Sequence, residues 1–300
     1  MKFKIYIGIL LSITLFSCTE KYDVDLVDGA SNRLVVEGSI TSEFKIHQVT
    51  LSRTGAYFRN EPAVRELNAT VTITDGDTVI NLFDEQNDGV YLTDKEIAGK
   101  PGNTYTLNVT LSNGEVYTAI EFMKPILPMD SMNYQYKKSD FPFDENYYYN
   151  FLIYFQEPPA EGDYYQWELF LDNEHISDTL RTKTIESDEL YNGSYIADLA
   201  IYQIPAYKIE QDTVFALLQM LSISKEKYDY CRAILLETDY SGGGFGGPPS
   251  NVPSNISNGA LGFFSASAVS EIEMTIYKVN KDVKSKASGK YQKWIKNKPN

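Results

Sequence analysis

The sequence predicts a mainly β protein, with an N-terminal immunoglobulin-like or transthyretin-like β-sandwich followed by a second β-rich domain that carries one main helix. Three observations predict this class. Runs of alternating apolar and polar residues recur along the chain, turn residues separate these runs, and one segment has apolar residues at helical spacing. About seven short strands in roughly ninety residues is the spacing typical of a sandwich.

The predicted sandwich spans residues 31–125. Its alternating runs are Leu34–Gly38, Ala69–Thr74, Thr104–Val109 and Val116–Ile120. The turn signals between them are Asp75-Gly76-Asp77, Asn87-Asp88-Gly89, Pro101-Gly102-Asn103 and Asn113-Gly114. Two prolines within Lys124–Asp130 then interrupt the alternation, since proline cannot donate a ladder hydrogen bond. We therefore expect a domain boundary near residue 126.

The predicted second domain spans residues 126–280. Its strands are expected at Tyr148–Phe155, Tyr164–Phe170, Val214–Ile223 and Glu271–Val279. A helix is predicted over 224–238, because Ser224 can cap it and apolar side chains follow at helical spacing, among them Cys231. Cys231 is therefore expected to be buried and inert. A Gly/Pro loop follows at 241–254.

The N-terminus predicts an exported protein. Lys2 and Lys4 precede the mostly apolar stretch Ile5–Phe16, which is too short to span a bilayer and is typical of a cleaved signal peptide. We assign residues 1–17 to this signal and residues 18–30 to an acidic tether.

The charge of the mature chain excludes nucleic acid as a partner. Removal of residues 1–17 leaves 25 basic and 41 acidic side chains, a net charge of −16, whereas phosphate binding needs a basic surface. The tail at 281–300 is the exception, because it is rich in lysine. It is either a solvated terminus or a docking segment for an acidic partner or lipid phosphates.

Leu15-Phe16-Ser17-Cys18 resembles the lipobox of bacterial lipoproteins. That resemblance implies that Cys18 becomes the lipidated first residue of the mature protein and anchors it in a membrane, since two or three acyl chains make a stable anchor. The alternative is an ordinary signal peptide with Cys18 as a plain thiol. The scattered acids behind Cys18 also resemble the signal that sends Bacteroidota lipoproteins to the cell surface.

Several further segments resemble the DUF4249 family of Bacteroidota outer-membrane lipoproteins. They are Arg33–Gly38, Pro101–Leu107, and a helix followed by a Gly/Pro loop and Asn255-Ile256-Ser257-Asn258-Gly259. The resemblance covers nearly the whole mature chain and is most specific over Asn255–Phe264. It implies a lipid-anchored outer-membrane protein, associated with TonB-dependent receptors, and supplies no catalytic residues.

Motifs for catalysis, metals or cofactors are missing from the sequence. Its two histidines, His47 and His175, are far apart and are interpreted as ordinary strand residues. The segment Gly242–Pro249 lacks the lysine and hydroxyl residue of a phosphate loop, and is a mobile surface loop or a binding loop with Phe245 at its tip. Asp84–Gly89 is better explained as a hairpin turn than as a calcium loop. We predict no catalytic residue, no metal ligand and no cofactor.

The 23 tyrosines offer a further candidate site. Tyr147–Tyr149 and Tyr164-Tyr165, near Trp167, either form a platform for stacking sugars or alternate between the surface and a core. The 41 acids can also hide a glycosidase pair, which spacing in sequence cannot reveal.

Two functions follow from these patterns. The favoured one is a non-enzymatic, surface-exposed lipoprotein that binds a ligand or partner for a TonB-dependent outer-membrane transporter. The alternative is a surface hydrolase that acts on glycan or peptide through carboxylates.

Overall fold

The computed structural model describes residues 32–55, 62–239 and 252–279. Within these ranges the protein is mainly β, with three sheets and a single α-helix, so the predicted fold class is confirmed. None of the helices in these ranges is long and apolar enough to cross a membrane.

Several predicted segments lie outside the described residues. They are the signal peptide at 1–17, the tether at 18–30 that begins with Cys18, most of the Gly/Pro loop at 241–254, and the basic tail at 281–300. The lipidation of Cys18 and the role of Phe245 therefore stay predictions.

The first sheet has nine strands: β1 (Leu34–Thr41), β2 (Gln48–Arg53), β3 (Val64–Arg65), β4 (Thr70–Thr74), β5 (Val79–Phe83), β6 (Val90–Thr93), β7 (Thr104–Thr110), β8 (Val116–Phe122) and β16 (Leu261–Ser267). They are ordered β16-β1-β2-β6-β5-β4-β7-β8, with β3 on β2. Alternate side chains such as Val36, Leu51, Ile73 and Leu107 share one buried core. The period-two pattern of the sequence is thus the inward-facing set of this sheet.

The four predicted turn signals all lie between strands of this sheet. At the β4–β5 turn, Asp75 Oδ1 accepts the backbone N–H of Thr78 at 2.8 Å, and Gly76 adopts φ +96°. At the β5–β6 turn, the Asp84 carboxylate accepts the N–H groups of Asp88 and Gly89, each at 3.0 Å. This segment is therefore a hairpin turn, as the sequence favoured.

Strand β16 is the main departure from the predicted domain division. It runs parallel to β1, with Val35 opposite Leu261 and Gly38 opposite Phe264, and Phe264 is buried in the first core. The predicted second domain, 126–280, included these residues. Pairing with β16 covers an edge of β1 that would otherwise leave its backbone groups unpaired.

The segment just before β16 connects the two ends of the first sheet. Ser257 exchanges hydrogen bonds with Thr118 of β8, each at 2.8 Å. Asn255 pairs with Phe264 of β16 through both ends of its amide, at 2.8 and 3.1 Å. The sheet consequently closes around its core through residues 255–258.

Two further sheets form a second sandwich. One is ordered β14-β10-β9, and the other β12-β11-β15-β17 with β13 on β11. Their strands are β9 (Ser131–Lys138), β10 (Tyr147–Gln156), β11 (Tyr164–Leu171), β12 (Glu174–His175), β13 (Thr184–Ser187), β14 (Tyr195–Pro205), β15 (Thr213–Ile223) and β17 (Val269–Tyr277). Phe151 and Phe155 from the first of these sheets share a core with Trp167 and Leu218 from the other.

Ser222 holds both segments through which the chain crosses between the first sheet and the second sandwich. Its hydroxyl donates to the carbonyl of Lys124 at 2.6 Å and accepts the N–H of Ala268 at 3.1 Å, while its N–H donates to the carbonyl of Ala268. Residues 123–130 form no strand, as the two prolines predicted, and Ile126 packs against both cores. Since Ser222 is itself buried, these bonds are protected from water.

The helix α1 (Lys225–Asp239) confirms the prediction at 224–238. Ser224 Oγ accepts the N–H of Lys227 at 3.1 Å and so caps the first turn. Tyr228 packs on Tyr164 of β11 with ring centroids 4.9 Å apart, and Cys231 is buried. Burial raises the pKa of the Cys231 thiol, as expected for an inert, inward-facing cysteine.

Candidate functional site

The outer face of the three-stranded sheet carries a polar groove of about 490 Å³. We call it the amide groove, after Gln135 of β9, Asn150 of β10 and Gln203 of β14, which line it together with Lys137 and other residues. Gln203 Nε2 donates to Asn150 Oδ1 at 2.9 Å. Asn150 Nδ2 is buried and has no hydrogen-bond partner among the described residues. That nitrogen is enclosed, so the exposed amides of Gln135 and Gln203 are the groups that the groove offers to a bound ligand.

A bulge in β14 shapes this groove. The β10–β14 register shifts between Phe151 and Leu152 and again between Ile153 and Phe155. Asp198 lies in this irregular stretch with φ +57°, and its carboxylate accepts the hydroxyl of Tyr154. Bulges turn side chains away from their regular positions, and here the bulge directs an acid to the groove.

A second groove, of about 370 Å³, lies at one end of the second sandwich. We call it the tyrosine groove, after Tyr136, Tyr147, Tyr149 and Tyr207, which line it. Tyr136 and Tyr147 stack with centroids 5.1 Å apart and planes 13° apart, and Tyr207 is 68% exposed. Exposed tyrosines join an apolar ring to a polar hydroxyl, which is the chemistry of many recognition surfaces.

The hairpin that joins β9 and β10, two strands that line the tyrosine groove, carries two phenylalanines. Phe141 and Phe143 are exposed at its tip, and Phe143 has φ +72°, a conformation uncommon for a bulky residue. Asp144 holds the turn by accepting the Asn146 N–H at 3.0 Å and the Tyr148 hydroxyl at 2.8 Å. The Asn146 N–H lowers the pKa of Asp144 to about 2, so the carboxylate stays ionised as an acceptor.

The structure does not bring the tyrosines of the predicted platform together on one surface. Tyr149, Tyr165 and Trp167 are buried in the second core, and Tyr164 packs under α1. Tyr147 and Tyr149 both line the tyrosine groove, but of the predicted platform only Tyr147 is exposed, at 37%. The sequence did not single out Tyr136, Tyr207, Phe141 or Phe143, although aromatic residues around Pro142 between two acids mark an exposed turn.

Three carboxylates gather at the other end of the second sandwich, where the sequence predicted neither a catalytic nor a metal site. They are Glu157, Asp163 and Asp188, each buried, with one oxygen from each within 4.8 Å of the others. Burial, with the nearby charges of Asp163 and Asp188, raises the pKa of Glu157 to about 7. These residues could hold a metal ion, but a glycan or peptide bond cannot reach Glu157, which is fully buried.

The two histidines have structural partners. His47 is buried and its Nε2 lies 3.0 Å from the carbonyl oxygen of Ile97, to which it donates. His175 stacks on Phe170 with centroids 4.3 Å apart and lies 3.2 Å from a Glu168 carboxylate oxygen. Each is held within its own part of the fold by these neighbours.

The structure is that of a mainly β protein with a first sheet closed around its own core and a second sandwich that carries two grooves. The chain belongs to the DUF4249 family, described as a domain of unknown function, whose profile matches residues 19–273. No curated protein matches the sequence. Among solved structures, the crystal structure of murine CEACAM1b is similar at 12% identity and a TM-score of 0.20, covering 81% of this chain and 98% of that one.

Proposed function

We propose that this protein is a lipid-anchored lipoprotein of the outer membrane, displayed at the cell surface, that binds a ligand for a TonB-dependent transporter. The observation that carries the binding function is the amide groove, in which the Gln135 and Gln203 amides are exposed side by side with other polar groups. The lipobox that ends at Cys18 and the acidic residues behind it support the anchored, surface position.

The side chains of the two grooves favour an oligosaccharide as the ligand. Gln135, Asp198 and Gln203 are exposed in the amide groove, so two amides and an acid can pair with hydroxyl groups. The tyrosine groove and the phenylalanines at the hairpin tip add flat apolar surface. A chain of sugar rings has both polar edges and apolar faces, so it matches both surfaces.

Substitutions in the grooves should weaken glycan binding. In an affinity screen of residues 19–300 against polysaccharides and peptides, we expect Gln203→Ala and Tyr207→Ala each to reduce affinity for the bound glycan by about tenfold. Tyr195→Ala is the matched control, because Tyr195 is also exposed but lies at the opposite end of β14. Equal binding by all three variants would place the ligand elsewhere, and preferential capture of peptides would change its class.

Cys18→Ala should release the mature protein from membranes, because Cys18 is the predicted site of the acyl chains. Fractionation without detergent measures the release, and the wild-type protein, cross-linked in cells, should co-purify with a TonB-dependent receptor. Persistent membrane binding by Cys18→Ala would show that another element anchors the chain. Repeated failure to recover a receptor would remove the transporter from the proposal.

The hydrolase alternative has less support from the geometry. A hydrolase would need accessible carboxylates and a surface of aromatic residues on the second domain. The clustered carboxylates are enclosed, however, and Trp167 is a core residue. Turnover of a polysaccharide or peptide in the same screen would restore this alternative.

A further inference from the structure

The buried carboxylates come from two connections of the second sandwich, the one between β10 and β11 and the one between β13 and β14. Glu157 directly follows β10, Asp163 directly precedes β11, and Asp188 directly follows β13. Tyr164 of β11 pairs with Ser187 of β13, and the N–H of Asp188 donates to the carbonyl of Asp163 at 3.0 Å. Strand pairing therefore places Asp163 and Asp188 side by side, and the end of β10 adds Glu157.

Most of the oxygens in this acidic cluster already have hydrogen-bond partners. Asp188 Oδ2 accepts the N–H groups of Gly162 and Asp163, at 2.8 and 3.0 Å. Both oxygens of Glu157 lie 3.0 Å from the Tyr165 hydroxyl, which donates to one at a time. Asp163 Oδ1 lies 2.6 Å from the Lys124 ammonium. These contacts fix the three side chains before any ligand arrives.

Asp163 Oδ2 differs from these four oxygens. It is buried and has no hydrogen-bond partner among the described residues, in a residue that is only 4% exposed. A buried carboxylate oxygen without a partner is strongly unfavourable, since water no longer solvates it. The cluster also sets three carboxylates against the one Lys124 ammonium, whose side chain is 37% exposed. The excess of carboxylates and the free oxygen both favour a bound cation.

We propose that Glu157, Asp163 and Asp188 bind a divalent cation, with Ca²⁺ preferred. The available ligands are carboxylate oxygens, with a tyrosine hydroxyl beside them, and hard oxygen ligands suit Ca²⁺ and Mg²⁺ rather than zinc or copper. Ca²⁺ accepts irregular coordination, whereas Mg²⁺ demands a near-octahedral shell and keeps several waters. In a buried cluster built from two connections, the less demanding ion fits better.

Asp163 divides its two oxygens between two cations in this arrangement. Oδ1 stays with Lys124, and Oδ2 becomes a ligand of the bound ion. The ion then ties the end of β10 to the start of β11 and the end of β13. This site is distinct from the grooves: Glu157 and Tyr147 lie at opposite ends of β10, which spans ten residues or roughly 30 Å.

Terbium luminescence tests the site directly on the mature chain carrying Cys18→Ala, stripped of metal with a chelator. Tb³⁺ occupies oxygen sites for Ca²⁺ and emits light when aromatic side chains nearby absorb. Two such side chains are present here. The Tyr165 hydroxyl contacts Glu157, and the Trp167 ring lies 6.3 Å from the Tyr165 ring between centroids. We expect saturable emission that Ca²⁺ displaces more readily than Mg²⁺ does. Absence of saturable emission, or displacement by Mg²⁺ at lower concentration, would overturn the proposal or its preference for Ca²⁺.

Three variants separate cation binding from a general effect on folding. Asp163→Asn should weaken Tb³⁺ and Ca²⁺ binding by about tenfold or more, while Glu161→Gln, an exposed acid in the same connection, should leave it unchanged. Lys124→Met removes the competing ammonium and should strengthen binding.

Ca²⁺ should likewise raise the melting temperature of wild type and Glu161→Gln but not of Asp163→Asn. Equal behaviour of Asp163→Asn and Glu161→Gln, or weaker binding by Lys124→Met, would contradict the site.

Discussion

Replacing Gly262 with alanine is expected to destabilise the protein by more than about 4 kcal/mol, a loss large enough to abolish cooperative folding in many domains. Gly262 lies in β16 with φ +92°, and a Cβ built there would be 2.0 Å from the carbonyl oxygen of Val36 and 2.8 Å from its carbonyl carbon. Both atoms belong to the backbone of β1, so a side chain at Gly262 must separate the two strands. Urea denaturation followed by circular dichroism measures the loss.

Gly259→Ala is the matched control for this substitution. Gly259 lies three residues earlier with φ +72°, but a Cβ there has nothing within 4 Å. Only the backbone conformation then opposes the substitution, at about 1 kcal/mol. If Gly262→Ala unfolds at the same urea concentration as Gly259→Ala, the close approach of β16 to β1 is not a tight constraint.

Asn255→Ala should produce the second largest loss, of roughly 3 kcal/mol. The Asn255 amide donates to Glu121 Oε1 at 3.1 Å and to the Phe264 carbonyl at 2.8 Å, and its oxygen accepts the Phe264 N–H at 3.1 Å. Replacement by alanine removes all three hydrogen bonds, so the Glu121 carboxylate and the Phe264 backbone groups lose their partner. The Glu121 carboxylate is the partner most sensitive to the loss of this hydrogen-bond donor, since it is buried and burial already raises its pKa to about 7.

The control for Asn255→Ala is Asn113→Ala. Asn113 also accepts a backbone N–H, from Glu115 at 3.0 Å, but it lies in an exposed hairpin turn where water can replace the bond. Its loss should be on the order of 0.5 kcal/mol. Similar denaturation midpoints for the two variants would mean that Asn255 does not hold β8 and β16 together.

Local patterns predicted most of the elements. Asp75 and Gly76 form the turn that their chemistry requires, and Ser224 caps the helix as expected. The pairing of β16 with β1 was not predicted, because alternation shows that a strand has two faces but not which strand lies beside it. The Arg33 side chain, for example, donates to the Gly259 carbonyl 226 positions later in the chain.

The candidate sites were harder to predict for the same reason. Tyr147 belongs to a tyrosine run that is visible in the sequence, but its groove partners Tyr136 and Tyr207 come from other segments. Glu157, Asp163 and Asp188 look like ordinary acids near turns until strand pairing brings their oxygens within 4.8 Å. A chain with 41 acids gives no local sign of which three will meet.

The close succession of β16 and β17 has a consequence for the order in which the chain acquires structure. Only Ala268 separates the strand that completes the first sheet from the one that pairs with β15. Neither the first sheet nor the second sandwich can be completed until this late segment has been synthesised, so the edges of β1 and β15 stay open until then. Pairing over such sequence distances is intrinsically slow. The folding chain therefore passes through a period in which two sheets expose unpaired edges, and both are open to aggregation at the same time.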